Sequence, residues 1–355
     1  MNHPSDLRDY LVLGAGAIGG TLAHHLAAAG HPVTLVDTDT EHIAAIRRDG
    51  ITLTRRDGER RSVPVAHALT PDEADAAGIT ARRVLLATKG HHTRTAMTWL
   101  APHLAEDGFV VSCQNGDNEP VIAELIGHHR VVGAFVNLFA DVVGPGVIRD
   151  GGSAAFVIGE LDGTLSKRVT ETVTDLRAWG PVRQTGNVTG YLWAKHGFAE
   201  MLTTTALVDA PMASTIDRHR GVVTAVAREV NRIAAAEGHR LERFDAYDPA
   251  AFTDRADPTT TQAALDRLVA WLTTMPKDRS GVWRDIAVRG RRTEVHLDLE
   301  GHIRRAEAHG LPVPLLRRLD QMLTELETGQ RTFADANVVE LGQAAGTPTA
   351  AADRR

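Results

Sequence analysis

The chain has 355 residues, 43% hydrophobic and 24% charged, with 45 acidic against 39 basic side chains and a formal net charge of −6. That length suits two domains of ordinary size, and the composition excludes a disordered chain and a basic surface for nucleic acid. No apolar run reaches the roughly 18 to 20 residues a membrane span needs, and the N-terminus MNHPSDLRDY lacks a signal-peptide pattern, so a cytoplasmic protein without a membrane partner is expected. Cys113, the single cysteine, excludes an internal disulfide and reads as a buried thiol in the apolar run at 109–113.

Tyr10, Leu11, Val12 and Leu13 predict a short strand, followed by glycines and a helical pattern at 21–29 that Gly30 closes. A second apolar run at 33–37 follows, so the chain opens with a βαβ unit and a parallel sheet. Runs at 84–87, 109–111 and 131–136 predict further strands buried on both faces. Residues 51–54 and 62–65 flank Asp57 and Gly58 and predict an antiparallel hairpin. Beyond Asn187 strand signals fade, and Val222, Val226, Val230 and Ile233 mark one apolar helix face. The expectation is an α/β fold: an N-terminal Rossmann domain with a doubly wound parallel sheet at 1–186, a mostly helical domain at 187–340 and a flexible tail at 341–355. Residues 245–261 read as a loop, and the two domains are expected to pack around a cleft.

Gly14, Gly16 and Gly19 spell GxGxxG between the first strand and helix, with Ala15, Ala17 and Ile18 completing the turn. The first glycine permits the turn, the second lets backbone approach a pyrophosphate, and the third lets helix and strand pack closely. The helix N-terminus then offers N–H groups to the phosphates. Asp37 ends the second strand 18 residues after Gly19, where a carboxylate accepts hydrogen bonds from an adenosine ribose and repels a 2′-phosphate. NAD(H) is therefore the favoured cofactor. NADP(H) would require Arg47, Arg48 or Lys89 to reach the phosphate. The competing reading is a glycine-rich turn without a ligand.

Further segments are ATKG at 87–90, with Thr88 and Lys89; QNG at 114–116, with Asn115; LWAKHGF at 192–198, with Lys195; RTE at 292–294, with Glu294; and RRAEAHGLPVP at 304–314. Together with GAGAIGG at 14–20, their order and spacing resemble the ketopantoate reductase (2-dehydropantoate 2-reductase) family over nearly the whole chain. The resemblance implies a helical domain closing over the nicotinamide, with Lys195 as proton donor to the carbonyl and Glu294 beside it. It places Thr88 and Lys89 along the cofactor cleft and Asn115 near nicotinamide and substrate. The chemistry is consistent, because hydride transfer to a C=O leaves alkoxide charge that needs a proton or a positioned cation. Without the resemblance, Lys195 reads as a lysine snorkelling from the helix predicted at 191–208, and Glu294 as a solvated charge beside Arg291, Arg292 and His296.

One and two turns past the lysine the family carries substrate-binding asparagines, where this chain has Ala199 and Thr203. The serine upstream of the glutamate is matched by Ser280, in a segment of altered spacing. The His24–His25, His91–His92 and His128–His129 pairs have no metal-ligand spacing, so no metal is expected. The reading is an oxidoreductase moving a hydride between a nicotinamide and a 2-oxo acid or related carbonyl other than ketopantoate. A small-molecule substrate is the expected partner and a homodimer one expected assembly. The competing functions are a dehydrogenase of an imine or of a non-2-hydroxy alcohol, and a non-catalytic dinucleotide sensor.

Overall fold

Successive side chains of a strand point to opposite faces, and the first strand, β1 (Tyr10–Leu13), separates two cores in this way. Tyr10 and Val12 join one buried cluster, and Leu11 and Leu13 the other. Both faces are covered, so the strand is apolar throughout and lacks polar alternation. The computed structural model describes residues 7–55, 57–275 and 277–344 and divides into two compact units, Met1–Val188 and Thr189–Arg355.

In the first unit β1 is followed by α1 (Ala17–Ala28), β2 (Val33–Val36), α2 (Thr40–Asp49), β3 (Ile51–Thr54), β4 (Arg60–Val63), β5 (His67–Leu69) and α3 (Pro71–Ala76). Next come β6 (Ala81–Leu86), α4 (Thr93–Leu100), β7 (Leu104–Ser112), α5 (Glu119–Ile126), β8 (Val131–Gly144), β9 (Val147–Glu160), α6 (Lys167–Leu176) and β10 (Val182–Gln184). The sheet order is β4-β3-β9-β8-β7-β6-β1-β2-β5, with β10 beside β9. Leu22 and Leu26 of α1, Ile43 and Ile46 of α2 and Val169 and Val173 of α6 cover one face, while Met97 and Leu100 of α4 and Ile122 of α5 cover the other. Cys113, just past the end of β7, is buried, as expected, in the cluster that holds Tyr10 and Val12.

The sheet is mixed where a parallel one is expected. From β8 to β5 every pairing is parallel, but β8 and β9 are antiparallel, as are β3 and β4. The run at 131–136 is only the start of β8, which continues to Gly144, turns at Pro145–Gly146 and returns as β9. Gly146 has φ +69°, which favours glycine. The hairpin expected at 51–65 is present as β3 and β4.

The second unit is helical: α7 (Val188–Thr205), α8 (Met212–Arg218), α9 (Arg220–Ala236), α10 (Pro258–Thr273), α11 (Gly281–Ala287), α12 (Val295–Ala308), α13 (Pro314–Glu327) and α14 (Asp335–Gln343). Val226, Val230 and Ile233 of α9 meet Leu299, Leu316, Leu319, Leu323 and Val338 in one core, with Val222 packed at its edge. Two expectations need correction. The loop at 245–261 ends at Asp257, whose carboxylate accepts the Thr259 and Thr260 amides while Pro258 occupies the first helical position, a strong helix start. Residues 341–343 complete α14 because Leu341 is wholly buried, and residues 345–355 of the expected tail lie outside the described residues. Among the described residues no helix is long and apolar enough to cross a membrane.

The glycine turn after β1 positions the rest of the site. A Cβ on Gly19 would lie 1.9 Å from the Gly14 carbonyl oxygen, whereas a Cβ on Gly16 would meet nothing within 4 Å. Gly19→Ala is therefore expected to lower unfolding stability by about 1–3 kcal/mol, and Gly16→Ala by less than about 0.5 kcal/mol. Chemical denaturation of both variants checks this, and equal losses would contradict it.

Candidate active site

Two side chains hold the turn between β1 and α1. Asp37, directly after β2, accepts the Ala15 amide at 2.6 Å and the Asp39 amide at 2.9 Å. The Nε2 of His42, on α2, lies 3.0 Å from the Ala15 carbonyl. Gly14 has φ +100°, and a Cβ there would lie 2.8 Å from the Thr88 nitrogen, so the turn passes directly against the end of β6. Gly16 caps α1 with no side-chain acceptor, and the first turn of α1 has no acidic residue. The space beside Gly16, open where a Cβ would stand, is a cradle for an anionic group at a helix N-terminus. The residues present fit a dinucleotide pyrophosphate.

The segments after β6 and β7 are joined by a second network. The Gln114 side-chain amide donates to the Thr88 carbonyl at 2.9 Å and to the Thr93 hydroxyl at 2.9 Å. That hydroxyl donates to Asn118 Oδ1 at 2.9 Å, and Asn118 Nδ2 donates to the Asn115 carbonyl at 2.6 Å. Thr88, Lys89 and Asn115 thus sit on two loops tied together at the carboxyl ends of neighbouring strands, where open α/β sheets hold ligands. Behind them the Glu119 carboxyl is pushed up to about 7, mainly by burial and then by Asp117. Arg47 is bonded to the Ala68 carbonyl and to Glu73, and Arg48 to Asp49.

In the second unit, Lys195 and Ala199 are half-buried on α7. Thr203 is buried instead, close enough to the Glu200 carboxyl to act on it. Ser280 is the N-cap of α11 and accepts the Trp283 amide at 3.1 Å. Glu294 is half-buried at the N-cap of α12 and makes no side-chain capping bond. Among the described residues no group of three or more His, Cys, Asp or Glu could hold a metal ion.

Sequence reasoning missed the polar interior behind these residues. Glu200 Oε1 lies 3.6 Å from His302 Nδ1, yet the pair is not an ion pair. Burial, followed by Asp298, raises the Glu200 carboxyl well above the usual range, while burial, followed by His196, lowers the His302 imidazole. Both shifts favour neutral groups, opposite to those of a salt bridge. Glu200 is a carboxyl in an otherwise weakly charged helix, which was the available signal. His296 has the opposite character. Its Nδ1 lies 2.5 Å from Asp320 and its Nε2 3.0 Å from Glu327, so both ring nitrogens face carboxylates and the imidazolium is favoured. The hydrogen bond to Asp320, against some desolvation, and the charge of Glu327 raise its titration point.

Residues 10–163 match the family model for Ketopantoate reductase PanE/ApbA, and residues 187–327 match Ketopantoate reductase PanE/ApbA C terminal. The chain belongs to the ketopantoate reductase family. A 2-dehydropantoate 2-reductase of Mesorhizobium japonicum is 32% identical over 208 residues, covering 52% of this chain and 62% of that one. One from Halobacterium salinarum is 25% identical over 318 residues, covering 88% and 97%. The chain therefore spans somewhat under two thirds of the first relative and nearly all of the second. Among solved structures, a PanE/ApbA family ketopantoate reductase from Ralstonia eutropha shares 28% identity with a TM-score of 0.74, over 91% of this chain and 100% of that one. D-mandelate dehydrogenase, solved with NADH and anilino(oxo)acetate, shares the fold at 17% identity and a TM-score of 0.74, over 90% and 98%.

The charge on His296 gives this family member a pH signature. A histidine raised in the folded state adds stability that is fully present below its unfolded value, about 6.5, and is lost as pH rises through the folded value. The melting-temperature advantage of the unmutated protein over His296→Gln should accordingly narrow as pH rises from about 6 toward 9. Melting curves across that range check it, and a widening gap would contradict the assignment.

Proposed function

We propose that the protein is a nicotinamide-dependent oxidoreductase that prefers NAD(H) and interconverts 2-oxo and 2-hydroxy acids or related small carbonyls other than ketopantoate. The observation that carries this reading is the Ala15 amide bonded to Asp37 within the glycine turn. It supports reading Asp37 as the ribose-binding carboxylate of a dinucleotide site, and Arg47 and Arg48 are engaged with Ala68, Glu73 and Asp49. A 2′-phosphate would meet that carboxylate.

Gly14, Ala15, Gly16, Ala17, Ile18 and Gly19 would cradle the pyrophosphate, Asp37 the ribose, and Thr88, Lys89 and Asn115 the remainder of the cofactor, with Asn115 also toward the substrate. A bound dihydronicotinamide supplies a hydride. Lys195 supplies the proton to the carbonyl oxygen, and its ammonium steadies the alkoxide charge until that proton has moved. Glu294, half-buried at the start of α12, orients the ammonium. The substrate grip differs from the family pattern on α7. Ala199 offers no hydrogen bond, Thr203 is buried beside Glu200, and Ser280, whose oxygen caps α11, would offer substrate its O–H. A polar substrate group left without its partner costs transition-state binding.

Three outcomes are expected. The dissociation constant for NADH should be lower than that for NADPH in titrations of the same preparation, and equal or tighter NADPH binding would reject the assignment of Asp37. In steady-state assays with NADH, an aryl or branched 2-oxo acid should exceed ketopantoate in kcat/KM by about 10²-fold. Lys195→Ala should lower turnover by about 10²- to 10⁴-fold with NADH affinity little changed. Ketopantoate as the best substrate, or near-normal turnover in a folded Lys195→Ala protein, would overturn the corresponding part.

A further inference from the structure

We infer that His42 is a positioning residue for cofactor binding: it fixes the Ala15–Gly16 peptide so that the Gly16 N–H is aimed at the dinucleotide phosphate. This rests on the nicotinamide reading above. His42 is buried on α2, 27 residues from Ala15 in sequence. Its Nδ1 lies 3.1 Å from the Gly146 amide, and its Nε2 lies 3.0 Å from the Ala15 carbonyl. A backbone amide can only donate, so Nδ1 must present its lone pair. The neutral ring then carries its proton on Nε2, and that N–H donates to the Ala15 oxygen. The two contacts allow a single tautomer.

The consequence follows from peptide geometry. A trans peptide is planar, with its C=O and N–H pointing in opposite directions. Holding the Ala15 carbonyl therefore sets the direction of the Gly16 N–H in the same plane. The preceding peptide is held through its own N–H, which donates to Asp37 at 2.6 Å. Two side chains, from the end of β2 and from α2, thus fix two successive peptide planes of the turn. Gly16 is the residue beside which space is open for a ligand, and oriented amides at a helix start are what an anion recognises.

The other end of the ring is anchored too. Gly146 is the left-handed turn residue between β8 and β9, and its carbonyl accepts the Thr52 amide at 2.9 Å. A Cβ on Gly146 would lie 3.3 Å from the Ala45 Cβ, so the turn also packs directly on α2. His42 therefore carries the position of the long β8–β9 hairpin to the phosphate-binding turn.

Asparagine and glutamine separate the two bonds. His42→Gln can place a donor near the Nε2 position and keep the bond to Ala15. His42→Asn can place an acceptor near the Nδ1 position and keep only the bond to Gly146. With the full-length chain and NADH as ligand, the Gln variant should bind within about threefold of the unmutated protein, and the Asn variant about tenfold more weakly, the scale of one lost hydrogen bond. At saturating NADH the kcat of both should be little changed, because the effect lies in cofactor affinity. A general structural role would weaken both variants alike. Equal binding by the two variants, or an Asn variant that binds as tightly as the unmutated protein, overturns the inference. Histidine ¹⁵N NMR of the unmutated protein tests it without relying on a variant that folds: His42 must be the neutral Nε2–H tautomer, and an Nδ1–H tautomer overturns it. Failure of the unmutated protein to bind either NADH or NADPH would overturn the nicotinamide reading itself, and this inference with it.

Discussion

The arrangement of the first unit depends on the approach of α1 to the end of β1. At Gly19 the helix comes so near the Gly14 carbonyl that even a methyl group would collide with it. That approach brings the first turn of α1 beside the ends of β1, β2 and β6, where Asp37 and Thr88 can reach it. Helix dipole, open amide groups and the Asp37 carboxylate come together because glycine removes the side chain that would hold the helix off. The hairpin of β8 and β9 supports the same helix from another side, since Ile148 lies where a Cβ on Gly20 would stand.

The second unit handles buried polarity in two contrasting ways. Around Glu200 and His302, burial outweighs attraction and both groups remain uncharged, although an acid and a base face each other. Around His296, two carboxylates on α13 outweigh burial and a charged ring is kept. The difference lies in the number of partners: one carboxyl at 3.6 Å makes no hydrogen bond with His302, whereas Asp320 and Glu327 both bond to His296. The charged ring and the Thr293 amide and hydroxyl all converge on Glu327 Oε1, which ties the chain on either side of Glu294 to α13. The helices that carry Lys195 and Glu294 thus have neighbouring polar groups that are already settled.

Much of the first unit was legible because its signals are local. The three glycines, the apolar strand runs and Asp37 act within one βαβ unit, and periodicity and spacing report them directly. The antiparallel return of β9 was not legible, because strand direction depends on a turn at Pro145–Gly146 and not on apolar content. His42 was hidden for a related reason: its role exists only once α2 has brought it to Ala15 and the hairpin has brought Gly146 to it. On α7, spacing alone put Thr203 on the lysine face, but eight residues at 3.6 per turn drift far enough to bury it beside Glu200. Ser280 was picked out only by the resemblance, and its capping role required the start of α11 to be known.

The central claim is that the protein moves a hydride from a nicotinamide to the carbonyl carbon of a 2-oxo acid. The most direct test is isotope transfer from NADH carrying deuterium at the transferable C4 position, with the product examined by mass spectrometry and NMR. The account predicts deuterium on C2 of the resulting 2-hydroxy acid, with the hydroxyl proton drawn from exchangeable groups. Product without deuterium at C2, or tight NADH binding with no reduction of any 2-oxo acid, would contradict it.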